Sequence, residues 1–391
     1  MRPAALARDT ARIVDDVRLR GDAALREWSE RLDGTGSGPF VVSKRDLDRG
    51  WKETPADVKR AIRLAIRNVR AVAERQVPKP FSVRPAVGVR IAQVVQPLAR
   101  VGCYVPGGRY PLPSTLIMTV VPARVAGVTD VIVACPKPSA VVLCAALEAG
   151  ATAVFRIGGA QAIAAMAYGT RSIPRVDKIV GPGNAWVAAA KALVAADCPI
   201  DFHAGPSEIE IYANTGSARW IAADLIAQAE HDADARAIFV TTNTALARRV
   251  KRTLEVLTPA SGPAAESLRR NGRIIVAATA EAAVAAVNEI APEHLVIDRA
   301  TDVPKFRAAG TIFVGRWSAQ AAGDYTTGSN HVLPTSRAAR FRGGLGSADF
   351  VRVFTVQTVT RRGIRAIGPA AVTLAETEGL AAHADSIRRR L

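Results

Sequence analysis

From about residue 115 to residue 314 the chain alternates short β-branched runs with alanine-rich stretches of ten or more residues. No other feature restricts the possible folds as much. Asp130-Val-Ile-Val-Ala-Cys and Ala153-Val-Phe-Arg-Ile are too short for helices and apolar without alternation, as strands buried on both faces are. Each is followed by a segment long enough to cross back over a sheet as a helix, so the pattern predicts parallel strands with helices on their faces. The series breaks at Ala204-Gly205-Pro206-Ser207 and restarts: EIEIYA, a helix over 218–233, AIFVTT, a helix over 244–257, RIIVA, a helix over 279–290, HLVID, a helix over 302–309, then TIFVG. Two such series predict two Rossmann-like α/β domains.

The flanking segments are different. Residues 1–103 read as amphipathic helices, broken by Pro78 and Pro80, with a β-rich lead-in, and are expected to pack with the second α/β domain. The first α/β domain is expected over 104–206 and the second over 207–345. Residues 346–391 read as a mostly helical tail interrupted at Pro369.

Composition narrows the function. No apolar run reaches the roughly 18–20 residues of a membrane span, and the first residues lack the apolar core of a signal peptide, so a cytoplasmic protein without membrane contact is expected. Cys103, Cys135, Cys144 and Cys198 form no Cys-x-x-Cys pair and read as reduced, buried, small apolar residues. The net charge of +17 invites a nucleic-acid partner. Only nine of the 52 basic residues are lysine, however, and no aromatic side chains interleave with the basic runs. Such a balance bears on solubility, and no nucleic-acid partner is expected.

Two glycine-rich turns leave strand ends in the first series, Gly158-Gly159-Ala160-Gln161 and Gly181-Pro182-Gly183-Asn184. Both allow close approach of a phosphate to a helix N-terminus, and both are equally readable as tight βα turns. There are five histidines. Gln228 and His231, three apart, would project from one face of a helix. Asp324 and His331 fall in one loop after a strand. An aspartate, two imidazoles and an amide oxygen suit a divalent metal such as zinc, although each histidine alone also reads as a surface or satisfied core residue. Glu293-His294, between a helix and a strand, pairs a carboxylate with a group that titrates near neutrality. That suits proton transfer; a turn acid beside an incidental histidine is the plain alternative.

Eight blocks in order are more specific: VGCYVPGG, RIGGAQAIAAMAYGT, VDKIVGPGN, AGPSE, QAEH, APEHL, GDYTTGSNHVLPT and LAETEGLAAH. Together, from about residue 10 to the C-terminus, they resemble the histidinol dehydrogenase family. The resemblance implies an enzyme of histidine biosynthesis that oxidises L-histidinol through the aldehyde to L-histidine with two NAD. It implies a homodimer with one zinc per active site, held by Gln228, His231, Asp324 and, from the partner's swapped tail, His383. It implies substrate contacts at Ser207, Gln228, His231, His294, Asp324, His331, Glu378 and His383, and NAD contacts at Tyr104, Gln161 and Asn184. His294 would be the general base and Glu293 would activate water for the second oxidation. The chain starts at the first shared helix and ends eight residues after His383, so a shorter dimer contact is expected. His203, which the family pattern does not account for, is expected to be structural. A relative oxidising another alcohol, such as a sulfonated diol, is the alternative reading.

Overall fold

A computed structural model describes residues 3–107, 110–203 and 205–391. Four helices open the chain: α1 (Pro3–Arg20), α2 (Asp22–Asp33), α3 (Lys44–Glu53) and α4 (Ala56–Gln76). In α4, Ile62, Ala65, Ile66, Val69 and Ala73 recur every three to four residues and form one buried stripe. The chain then extends into β1 (Phe81–Ala86), β2 (Val89–Pro97) and β3 (Arg100–Tyr104).

The first α/β series follows as α5 (Pro113–Val125), β4 (Asp130–Ala134), α6 (Ala140–Ala149), β5 (Ala153–Phe155), α7 (Gly159–Tyr168), β6 (Lys178–Val180) and α8 (Ala185–Val194). Its sheet runs β5-β4-β3-β6, all parallel. β3 therefore belongs to this unit, which takes in chain before the expected start at residue 104. The N-terminal helices also belong here, against expectation. α3 and α4 pack with α5 and α6 on one face, and α1 and α2 pack with α7 and α8 on the other. The physical reason is that a parallel sheet must be covered on both faces, and three crossover helices plus α8 cannot hide both by themselves. The four cysteines lie buried as expected, and burial pushes the Cys103 and Cys135 thiols up to about 12.

The second series is β7 (Glu208–Tyr212), α9 (Ala218–Ala229), β8 (Arg236–Thr241), α10 (Thr244–Leu257), α11 (Pro263–Asn271), β9 (Arg273–Val276), α12 (Ala280–Ile290), β10 (His294–Ile297), β11 (Thr311–Val314) and α13 (Gln320–Tyr325). Its parallel sheet runs β11-β10-β7-β8-β9. One face packs on α9 and α10 through Ile209, Ile211 and Phe239; the other packs on α12 through Tyr212, Val240 and Leu295. The helix expected over 302–309 is only a 3-10 segment, Ala300–Lys305, with Pro304 inside it. After α13 the chain returns to the first unit: Val332, Leu345 and Phe350 are buried in the core around α5. An end of the second unit at residue 345 is thus too late.

The last segment is not simply helical. β12 (Val351–Val359) pairs antiparallel with β2 over nine positions, from Val351 opposite Pro97 to Val359 opposite Val89. With β1 it makes a third sheet, β1-β2-β12. Then come α14 (Arg361–Thr377), which runs through Pro369 without ending there, and α15 (Ala381–Arg388). Among the described residues no helix is long and apolar enough to cross a membrane.

Candidate active site

The site gathers at the amino edge of the second sheet. Ala291 caps α12 in the left-handed region (φ 53, ψ 63), an uncommon conformation for a residue with a Cβ. The turn it makes delivers Glu293 and His294 to the first residue of β10, beside β7. Glu208 at the start of β7 then holds both: its N–H donates to Glu293 Oε2 (2.8 Å), and its carbonyl oxygen lies 3.0 Å from His294 Nδ1. A carbonyl only accepts, so Nδ1 carries the hydrogen and Nε2 is left as the basic nitrogen. Nε2 is buried, has no hydrogen-bond partner among the described residues, and lies 3.7 Å from Asp324 Oδ1.

Burial dominates the electrostatics of this pair. It pushes Glu293, 4% exposed, up to about 7, against the neighbouring His294 charge and hydrogen bonds from Glu208 and Ser207. For His294 burial acts downward, but the Glu293 and Asp324 carboxylates outweigh it and leave the imidazole above its usual range. For Asp324 burial acts upward, and the close His294 imidazole, with those of His331 and His231, outweighs it, so its carboxyl sits below the usual range.

Asp324 is the hub. It lies on the short helix α13 rather than in the expected loop. Its Oδ2 is 3.9 Å from His231 Nε2 and accepts a 2.8 Å hydrogen bond from Gln320 Nε2. Its backbone oxygen lies 2.8 Å from His331 Nδ1. His331 Nε2 reaches 3.4 Å from Thr115 Oγ1 in the first turn of α5, so the two α/β units meet at this imidazole. Gln228 occupies the last turn of α9, which packs on α13. Gln228 is fully buried, with neither amide atom partnered among the described residues. His231 does not share a helix face with it: α9 ends at Ala229, Glu230 caps it, and His231 lies beyond, half exposed.

Glu378 and His383 are not brought to this cluster within one chain. Glu378 caps α14 and His383 lies on α15; both are exposed, the two helices pack on each other, and α14 packs on the third sheet. Among the described residues no three His, Cys, Asp or Glu side chains stand close enough to hold a metal. His203 is exposed, so the structural role expected for it finds no packing to support it.

Tyr104, Gln161 and Asn184 lie at the carboxyl edge of the first sheet. The Tyr104 hydroxyl accepts from Gly159 N–H (3.1 Å), and the Asn184 side chain caps α8 by accepting from Trp186 N–H and Val187 N–H. Gln161 is fully buried and its Nε2 donates to Asp33 Oδ2 at the end of α2 (2.9 Å). Gly181 (φ +111) has no room for a Cβ, which would overlap the Tyr104 carbonyl oxygen. A buried ion pair supports that turn: Lys191 Nζ bonds Asp201 and the Gly181 carbonyl (3.0 Å), and Asp201 accepts the Gly181 N–H (2.8 Å). Glu208, Gln320, Asp33 and the Lys191–Asp201 pair were not singled out by sequence; only the four-residue spacing of Gln320 and Asp324 was a usable signal.

A glycine-turn edge on one α/β unit and a buried histidine–carboxylate cluster on the next together define an α/β protein with a candidate proton-transfer site. The histidinol dehydrogenase family pattern matches residues 2–391, and the chain belongs to that family. It is 46% identical to a histidinol dehydrogenase of Methanothermobacter thermautotrophicus, covering 97% of this chain and 92% of the relative. It is 44% identical to one of Rhizobium meliloti, covering 97% and 90%. The crystal structure of histidinol dehydrogenase from Elizabethkingia anophelis superposes with a TM-score of 0.94 at 32% identity, covering 98% of this chain and 92% of that one. The expected family, its function and the parallel α/β fold are thereby established.

Proposed function

We propose that the chain oxidises L-histidinol through L-histidinaldehyde to L-histidine with two NAD, as a zinc-dependent cytoplasmic homodimer whose active sites are shared between subunits. The single observation that carries this is the Glu293–His294 pair: a fixed imidazole with its basic nitrogen aimed into a polar cluster, next to a buried carboxylate titrating near neutrality.

The donor set suits zinc. Gln228 and His294 leave buried polar atoms without partners on the described residues, around an aspartate and a further imidazole, and zinc takes such N and O donors. Gln228, His231 and Asp324 would hold the metal, with His383 of a second copy as the remaining ligand. Zinc would supply a Lewis-acid template for the amino alcohol and imidazole of the substrate. Exposed apolar side chains on the third sheet (Phe81, Val83, Val353, Phe354 and Val356) support a subunit contact that would carry Glu378 and His383 to the other copy. Tyr104, Gln161 and Asn184 would line the NAD side, and Ser207 and His331 would contact substrate.

In the first oxidation His294 Nε2 takes the alcohol proton as hydride leaves the carbon. In the second, Glu293 takes a proton from water as the hydroxide adds to the aldehyde carbon, and the His294 imidazolium returns its proton to the carbonyl oxygen to give the hydrate. The neutral His294 then deprotonates that hydrate as the second hydride leaves to NAD. Two bases are needed because the alcohol and the attacking water present their protons from different positions. Glu293→Gln should therefore slow aldehyde oxidation by about 10²–10⁴-fold while sparing alcohol oxidation more. Stopped-flow detection of NADH with histidinol and with histidinaldehyde measures both steps. Equal loss in both, or none in either, refutes the assignment. Lack of turnover of histidinol by zinc-loaded protein, against a panel including sulfonated diols, refutes the substrate.

A further inference from the structure

We propose that Gln320 is a positioning residue that fixes the Asp324 carboxylate for metal binding; this rests on the metal reading above. Asp324 faces His294 Nε2 at 3.7 Å and His231 Nε2 at 3.9 Å, and neither separation is a hydrogen bond. The one short side-chain contact that sets the carboxylate's rotation among the described residues is Gln320 Nε2 to Oδ2, at 2.8 Å. A carboxylate oxygen bearing no proton only accepts, so the amide must present its N–H₂. Gln320 is 1% exposed and four residues ahead of Asp324 on α13, so its own rotamer is held by packing on the same rigid turn. The backbone of Asp324 is tied separately, by the His331 contact to its carbonyl oxygen. Gln320 acts on the side chain alone. Outer partners of this kind orient a ligand before the metal arrives.

The test is zinc affinity of the apoprotein, read by competition with a chromophoric chelator, together with the visible absorption of the cobalt-substituted form. Gln320→Met keeps length and volume but removes the donor; Gln320→Glu keeps length and puts an acceptor in its place. Both are expected to raise the zinc dissociation constant by about 10–100-fold and to shift the cobalt bands. Thermal unfolding of both apo variants is expected to stay close to that of the parent. Parent-like zinc affinity and cobalt spectra in Gln320→Met would overturn the proposal while leaving the metal reading intact. So would zinc loss that occurs only where cooperative unfolding is also lost, because Gln320 would then be a packing residue. If the parent itself bound no zinc, the metal reading would fall first and this proposal with it.

Discussion

Glu210 is a carboxylic acid in the middle of the central strand of the second sheet, and replacing it by leucine should stabilise the protein. It is fully buried, and neither carboxyl oxygen finds a hydrogen-bond partner among the described residues. Its neighbours across the sheet are Leu295 and Ile238, on the apolar face that packs against α12. Burial first, then the Glu208 charge two residues away, raise it from 4.5 to about 8, with Arg236 acting weakly against them. Because the folded value is the higher one, the folded chain keeps its proton while the unfolded chain releases it between these two pH values. Stability is therefore present in full below the lower value and lost progressively as pH rises to the upper one. At about 1.4 kcal/mol per unit, the loss is about 3 kcal/mol at pH 7, about 5 at pH 9 and under about 1 at pH 5. Urea unfolding of the parent and of Glu210→Leu at those three pH values, at one protein concentration, measures the difference. The leucine should gain about 4 kcal/mol more at pH 9 than at pH 5, above a constant gain from removing an unsatisfied polar group. Titrating groups away from Glu210 are shared by both proteins and cancel, and the Glu208 repulsion is already contained in the Glu210 value. A gain that is flat with pH, or a destabilised variant, would refute the reasoning.

Other expectations concern the rest of the molecule. If His383 completes the partner's site, mixing inactive His294→Asn with inactive His383→Asn and letting subunits exchange should restore about a quarter of parental activity, since mixed dimers place both lesions in one site; no recovery would place the full site in one chain. Lys191→Met strands Asp201 as an unpaired buried charge and should cost about 3–5 kcal/mol in denaturant unfolding. Asp33→Ala frees the Gln161 amide and should raise KM for NAD several-fold with kcat nearly unchanged; a fall in kcat alone would contradict a role on the dinucleotide side.

The α/β series was legible because buried parallel strands and crossover helices leave period and length in the residues themselves. Helix 244–257, for instance, is found at the expected bounds. β12 was missed although Val351-Arg-Val-Phe-Thr-Val-Gln-Thr-Val is rich in β-branched residues, because its partner, β2, lies more than 250 residues away and non-local pairing has no local signature. Pro369 did not end α14: the residue four back, Arg365, is exposed, so water can satisfy the carbonyl that loses its partner. In the candidate site, the imidazoles and carboxylates were visible as side-chain types. The Glu208 backbone that orients Glu293 and His294 was not, since every residue has an N–H and a C=O. The N-terminal helices carry clear apolar stripes, but a stripe does not say which sheet it covers.

The long pairing of β12 with β2 has a consequence for how the chain comes off the ribosome. β2 carries Ile91, Val94 and Val95 along an edge that β12 alone closes. During synthesis that edge stays open while the two α/β units are made, since domains near the N-terminus form first. An open apolar edge is a template for another chain. The last forty or so residues thus act as a built-in cover: until they emerge, a nascent chain is exposed to the wrong neighbours, and a truncation before residue 351 should lead to aggregates rather than to a smaller enzyme.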